Sequence, residues 1–346
     1  MGAHGKRGSR TGVASALALL ALAAALALAA CGGSDTAATT SPSTAPSEVA
    51  ASPSASPSGI PLPAPTVTGT IVFAHVLSSD QGLEDADICV VEADGTGLKT
   101  LAGGYEWQEF PSWSPDGTKI VYDAGYSPDI RYTQVCVVNA DGSGKVELTE
   151  DSGYLPDWSP DGKRIVFVRY VGVAGDVTPQ EDIFVMNADG TGERCLVDLK
   201  GSDSRPVWAE TGEIFFIHKY DTLYSVNPDG SGLRRIKQPG GVENFAISAD
   251  GKMLAYQSSH DEGRVVALPL RGAGKRVTLL EPASDYILDD ETVALGWTRD
   301  GKALVVAGGS GGTIHGSRVY VVNADGTGLS AVPGIETALD PAWQPE

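Results

Sequence analysis

Two turn signals alternate through most of this chain, and their spacing leaves few folds open. The first is Trp113-Ser-Pro-Asp-Gly117, with copies ending at Gly162, Gly212, Gly251 and Gly301 and a sixth beginning at Trp343. The second is Asn139-Ala-Asp-Gly-Ser-Gly144, with copies ending at Gly97, Gly192, Gly232 and Gly328 and a decayed one at Pro269–Gly274. Glycine supplies the positive φ of a tight hairpin, and aspartate can bond its own backbone two residues on. Short β-branched and aromatic runs lie between the turns, such as Ile120-Val-Tyr and Val135-Cys-Val-Val. Such runs with regular turns and no helical period predict an all-β repeat array. Each unit has four strands: a ends at the Trp, b follows the first turn, c precedes the second, and d follows it.

Residues 69–346 divide into six units of about 46 residues, the size of a propeller blade and too long for one coil of a β-helix. The first unit starts at strand b (Gly69-Thr-Ile-Val-Phe) and the last stops after strand a (Pro341-Ala-Trp-Gln). The tail therefore supplies the strand that the head lacks. The expected fold is a six-bladed β-propeller, its ring closed by the C-terminal strand joining the N-terminal blade, which leaves no free sheet edge.

Trp-Ser-Pro-Asp-Gly, a short Ile-Val-Phe strand and Val-x-Asn-Ala-Asp-Gly together resemble the TolB-type, WD-like propeller repeat, and the resemblance covers residues 69–346. It implies a periplasmic or extracellular protein-interaction platform. A flexible tether stands where TolB itself carries a further N-terminal domain, so TolB's partnership with a peptidoglycan-associated lipoprotein is not carried over.

The chain opens with Lys6, Arg7 and Arg10, an apolar run from Val13 to Ala30, and Leu28-Ala29-Ala30-Cys31. Basic, apolar and small residues in that order read as a secretory leader over residues 1–30. Leu-Ala-Ala-Cys resembles the bacterial lipobox, in which Cys31 becomes the lipidated first residue. A retained anchor helix is the alternative reading of the apolar run. Residues 31–68 follow as the lipidated cysteine and a Ser/Thr/Ala/Pro tether, too poor in apolar side chains to offset the entropy of ordering. The expected location is the outer face of the cytoplasmic membrane, held there only through the lipid.

The net charge is −19, from 44 acidic against 25 basic residues, and the leader carries off three of the basic ones. That excludes nucleic acid, whose phosphates need a basic surface, and flat binding to anionic headgroups. Beyond Cys31 the chain has Cys89, Cys136 and Cys195, an odd number with no metal-type spacing. Cys89 and Cys136 occupy equivalent places in neighbouring units and read as small buried apolar residues.

Several chemical signals fall away on spacing. Gly308-Gly-Ser-Gly-Gly312 fits a hydrolase elbow on paper, but Ser310 lies in a loop between strands rather than between a strand and a helix. Calcium needs six to eight converging oxygens, and aspartates on separate turns do not converge. His75 and His218, at equivalent strand-b ends of the first and fourth units, lie across the ring from each other, so a shared metal is not expected. No metal, cofactor or catalytic residue is expected, and the chain is expected to act as a monomer.

In a four-stranded blade the a–b and c–d turns share one face, and the b–c and d–a connections share the other. The Asp-Gly turns make the first face uniform, while every long segment falls on the second. Variable loops on a rigid scaffold are the usual place for function. That face mixes acids with aromatics: Asp80, Glu84, Asp85, Tyr105, Trp107, Tyr126, Tyr154, Tyr170 and Tyr286. Such a surface suits a basic peptide, a protein or a sugar. The expected function is a non-catalytic binding module that uses this face. The alternative is a carbohydrate- or peptide-acting propeller enzyme using its carboxylates.

Overall fold

The computed structural model describes residues 68–78, 84–104, 107–125, 132–150, 152–171, 180–237, 240–258, 264–271, 274–281, 294–308, 318–335 and 337–344. The predicted leader, Cys31 and the tether lie outside them. Among the described residues the chain forms strands and turns and no α-helix. The first strands are β1 (Thr70–Ser78), β2 (Glu84–Glu92) and β3 (Lys99–Ala102). Then come β4 (Trp107–Trp113), β5 (Lys119–Gly125), β6 (Thr133–Asn139) and β7 (Val146–Glu147). The third set is β8 (Tyr154–Trp158), β9 (Arg164–Tyr170), β10 (Glu181–Asn187) and β11 (Arg194–Val197), and the fourth is β12 (Asp203–Trp208), β13 (Ile214–His218), β14 (Thr222–Val226) and β15 (Arg234–Arg235). The fifth is β16 (Val242–Ile247), β17 (Met253–Ser258), β18 (Val265–Pro269) and β19 (Val277–Leu280). The last strands are β20 (Ala294–Trp297), β21 (Ala303–Gly308), β22 (Arg318–Asn323), β23 (Ser330–Ala331) and β24 (Ala338–Trp343).

These strands build an all-β propeller. Four sheets have four antiparallel strands each, and one eight-stranded sheet runs β24-β1-β2-β4-β5-β6-β7 with β3 on β2. A single parallel bridge, Ala86 to Trp107, joins the two halves of that larger sheet. The strand at each chain end meets the other: β24 pairs with β1, setting Ile71 opposite Trp343 and Val72 opposite Ala342. The innermost strands touch in succession, β24 with β4, β4 with β8, β8 with β12, β12 with β16, β16 with β20 and β20 with β24.

The repeated turns form for the reason their residues suggest. In the c–d turn, Asp141 Oδ1 accepts from the Ser143 backbone N–H at 2.8 Å and from Ser143 Oγ at 2.6 Å. In the a–b turn, Asp116 Oδ1 accepts from Ser114 Oγ at 2.7 Å, and Ser114 Oγ accepts from the Lys119 N–H at 2.9 Å. These local bonds hold the Asp116 and Asp141 carboxyls below the usual carboxylate range.

The apolar core lies between sheets rather than within one. Phe167, Ile165 and Met186 of the third set pack on Val121, Val135 and Val137 of the second. Ile71, Phe73 and Cys89 pack on Val305, Val319 and Val321, so the first strands share a core with the last. Cys89, Cys136 and Cys195 form no disulfide with one another; the first two are buried as expected, and Cys195 is exposed. Burial pushes the Cys89 thiol up to about 11, which leaves it unreactive.

Glycine does a second job in the c–d turns. At Gly326 φ is +83°, and an added Cβ would lie 2.4 Å from the Thr278 carbonyl oxygen of the preceding sheet. Gly95 meets the Pro333 carbonyl oxygen at the same 2.4 Å, again joining first strands to last. Gly212 has a similar φ of +88° with nothing within 4 Å. Gly326→Ala is therefore expected to lose about 2–4 kcal/mol of stability in urea unfolding, and Gly212→Ala only about 1 kcal/mol. Equal losses would show that backbone strain alone, and not close approach between sheets, accounts for the glycine.

Candidate functional site

The strongest departure from regular geometry runs around the inner strands. Phe110, Leu155, Arg205 and Asp340 have φ of 50°, 51°, 51° and 48°, in the left-handed region that side chains rarely adopt. Each precedes a proline and stands three residues before the repeat tryptophan. Each lies in a register shift: β4 against β5, β8 against β9, β12 against β13 and β24 against β1. A bulge of this kind re-aims a side chain. Here it turns four side chains into a cavity of about 250 Å³ that all six inner strands line. Asn244 of β16 and Ala294 of β20 complete the ring of equivalent positions.

Charge concentrates at this axis. Arg205 crosses from β12 toward Asp340 of β24 and Glu109 of β4, and its guanidinium carbon lies 5.9 Å from the Phe110 ring centre. Burial raises the Glu109 carboxyl, and repulsion from Asp340 raises it further; the Trp107 side chain and Arg205 pull it back only in part. Burial also raises Asp340, and Arg205 opposes that shift. Asp123, opposite Glu109 on β5, is 3 % exposed and accepts from the Leu155 N–H at 2.9 Å. Burial and then Glu109 push its carboxyl well above the usual range. Asp157 bridges three inner strands, accepting from Ser112 Oγ at 2.6 Å and from the Trp208 N–H at 2.7 Å.

A second acidic group sits where β9, β10, β12 and β13 reach the face of the b–c and d–a connections. Asp203, fully buried at the start of β12, is hydrogen-bonded to His218 at the end of β13, Oδ1 to Nδ1 2.6 Å. Burial, then Asp182, Asp198 and Glu181, push Asp203 up to about 8. Burial and Asp198 push Asp182 up to about 6. Glu181 is raised by burial while bonded by the Tyr154 and Ser202 side chains. Asp203 Oδ2 and Asp182 Oδ1 are buried without a hydrogen-bond partner. Among the described residues, no group of His, Cys, Asp or Glu is arranged to hold a metal ion.

Of the residues singled out from sequence, Trp107 opens β4 half-buried beside Glu109, and Asp85 lies half-buried on β2 next to the residue that bridges to Trp107. Tyr170 ends β9 opposite Glu181. Tyr154 needs correction as a contact residue: it is 5 % exposed and packs inside the core, with burial and Glu181 raising its phenol. Asp80, Tyr105, Tyr126, Tyr286 and the Glu84 side chain lie outside the described residues. Sequence reasoning missed Glu109, Arg205, Asn244, Asp340 and Asp203. The residue before Pro and three before Trp was a legible signal for two of them, since the aligned repeats put one cation and one acid at that place.

The TolB β-propeller domain family matches residues 66–346. The chain belongs to that family. TolB from Acinetobacter baumannii superposes with a TM-score of 0.65 at 17 % identity, over 80 % of this chain and 67 % of that one. A putative TolB from Agrobacterium tumefaciens gives 0.56 at 13 % identity, over 79 % and 91 %. Dipeptidyl-peptidase 5 from Porphyromonas endodontalis is 33 % identical over 86 residues, which is 23 % of this chain and 12 % of that protein. The chain thus spans about an eighth of that relative, and the likeness to the two structures shows the fold alone.

The acids of this TolB-type propeller bear on its stability. Asp203 ordinarily titrates near 3.8 and is raised to about 8 when folded, so between those values the folded state binds the extra proton. Stability then falls as pH rises through that window. The melting temperature is expected to be higher at pH 5.5 than at pH 8.5. Asp203→Asn should flatten this slope and raise the value at pH 8.5. A slope unchanged in the variant would remove Asp203 as its source.

Proposed function

We propose that this TolB-family chain is an exported, lipid-anchored, six-bladed propeller. It acts as a non-catalytic binding module through the face carrying the b–c and d–a connections. In this reading the eight-stranded sheet is two blades, and β24 completes the first blade from the C-terminus. Contact between β20 and β24 and the approach of Gly95 to Pro333 support a closed ring.

The observation that carries the binding role is a set of buried polar atoms without partners: the Gln108 amide, Asn244 Oδ1 and Asp203 Oδ2 on inner strands, and Asp182 Oδ1 at the start of β10. Most buried polar groups in native proteins are bonded, and each exception costs about 1–3 kcal/mol. Several together near one end of a rigid scaffold fit a surface completed by a ligand. An enzyme reading has one observation in its favour, two acids with carboxyls raised to about 8 and about 6 in one group. Against it, Asp203 is fully buried and already tied to His218.

Two experiments test the proposal. A photo-crosslinking residue placed at Asp85 or Tyr170 in intact cells should yield adducts, and one placed at Thr96 or Lys302 on the turn face should not. Adducts from the turn face alone would overturn the assignment of the working face. Cys31→Ala should release the protein from the membrane fraction; full retention would favour the uncleaved apolar run as the anchor.

A further inference from the structure

We infer that the groove between the fourth and fifth strand sets, on the side of the c–d turns, binds an acidic peptide segment of a partner protein. It is a second surface, separate from the face of the b–c and d–a connections, and does not depend on what that face binds.

The repeat shows what is unusual there. In five of the six c–d turns an aspartate occupies the same place: Asp94, Asp141, Asp189, Asp229 and Asp325. The equivalent residue of the fifth set is Arg271. These turns lean on the last strand of the preceding set, as Gly142 does on the Leu101 carbonyl and Gly190 on the Leu148 carbonyl. Cations of that strand reach across to the turn. Lys99 Nζ donates to the Asp141 carbonyl at 2.8 Å, and the Arg194 guanidinium donates to the Pro228 carbonyl. Arg234 is their counterpart, two residues after the last glycine of its own turn. It meets a cation instead, and Arg234 and Arg271 are both bound to one carboxylate, Glu213.

Further cations surround this pair. Arg235 follows on β15, Lys237 lies two residues beyond, and Lys275 and Arg276 follow the fifth turn; all four are exposed. Among the described residues Arg235, Lys237 and Lys275 form no ion pair. These cations gather around a single bridging acid in a chain whose net charge is −19. Exposed like charges repel one another, and the other c–d turns close without them. A local excess of this sign complements an anionic partner.

Shape selects among anions. The groove holds about 550 Å³, within the roughly 300–1,000 Å³ range of ligand pockets. Buried Ile236 and Leu270 give it an apolar floor, and Arg235, Lys237 and Arg276 stand around them. A concave site of this size does not match the flat surface of a bilayer. None of the described lining residues is aromatic, so no ring offers a platform for stacking a base. Glutamate or aspartate side chains on an extended segment would meet the guanidinium forks in paired hydrogen bonds. Apolar side chains between them would cover Ile236 and Leu270.

The test is a fluorescence-anisotropy titration of the full mature chain with a labelled hexapeptide, Glu-Leu-Glu-Glu-Leu-Glu. One comparison peptide replaces every glutamate by glutamine, and another replaces both leucines by serine. The acidic peptide should saturate, and its affinity should fall at least about fivefold between roughly 50 and roughly 300 mM salt. The glutamine peptide should not bind, and the serine peptide should bind several-fold more weakly. Arg235→Glu combined with Lys237→Glu should weaken the acidic peptide at least tenfold; both side chains are exposed, so the melting temperature should hold. Arg271→Asp restores the residue of the other turns and should weaken binding several-fold without lowering the melting temperature. Lys163→Glu, a charge reversal outside the groove, should leave the affinity unchanged. Equal binding of the glutamine peptide, an equal loss in Lys163→Glu, or full affinity in the folded double variant would overturn the proposal. Phosphatidylglycerol vesicles and polygalacturonate are titrated in parallel. If either binds and loses affinity in the double variant while the peptide fails to bind, the groove belongs to a lipid or a glycan and the peptide assignment falls.

Discussion

Pairing between β1 and β24 ties residue 71 to residue 343 through backbone hydrogen bonds and a shared core. Each sheet buries its apolar side chains against its neighbours, so a terminal sheet without a neighbour would expose a face and an edge. The bonds from the first described strand to the last relieve both problems at once. They also bring Asp340, six residues from the end, to the wall facing Arg205. The chemistry of the axis thus depends on a strand whose first role is to finish a sheet.

The inner strands then create a difficulty of their own. Strands that converge on an axis have no room for regular pairing along their whole length, and the register shifts before the prolines absorb the mismatch. The same shifts point Phe110, Leu155, Arg205 and Asp340 inward. Burying an arginine and several carboxylates there is costly unless they are paired and bonded. Asp157 meets that condition through Ser112 and Trp208, and Glu109 in part through the Trp107 side chain and Arg205, whereas Asn244 keeps one buried oxygen without a donor.

Legibility followed the range of the interactions. The Asp-Gly turns depend on atoms two to five residues apart, and Asp141 with Ser143 forms the turn that the residues announce. Trp113, Trp158, Trp208 and Trp297 are buried at one repeated position, as their spacing suggests. Aromatic character misled at Tyr154, because a tyrosine at the end of an inner strand can as well fill the core as face solvent, and here it does the former. His218 was visible as a strand end, but its partner Asp203 belongs to the preceding strand and a different turn.

Strand, turn and repeat pattern, and the complementary split between head and tail, were all readable along the chain. Those properties reside in neighbouring residues and in periodicity, which a linear chain displays directly. Which side chains meet at the axis became visible once the sheets were packed together. Glu109, Arg205, Asn244 and Asp340 are separated by tens to hundreds of positions; the repeat aligns the last three, but nothing in it says that their side chains meet. Their charge balance arises from closing sheets about a common line, where burial turns ordinary acids into reluctant ones.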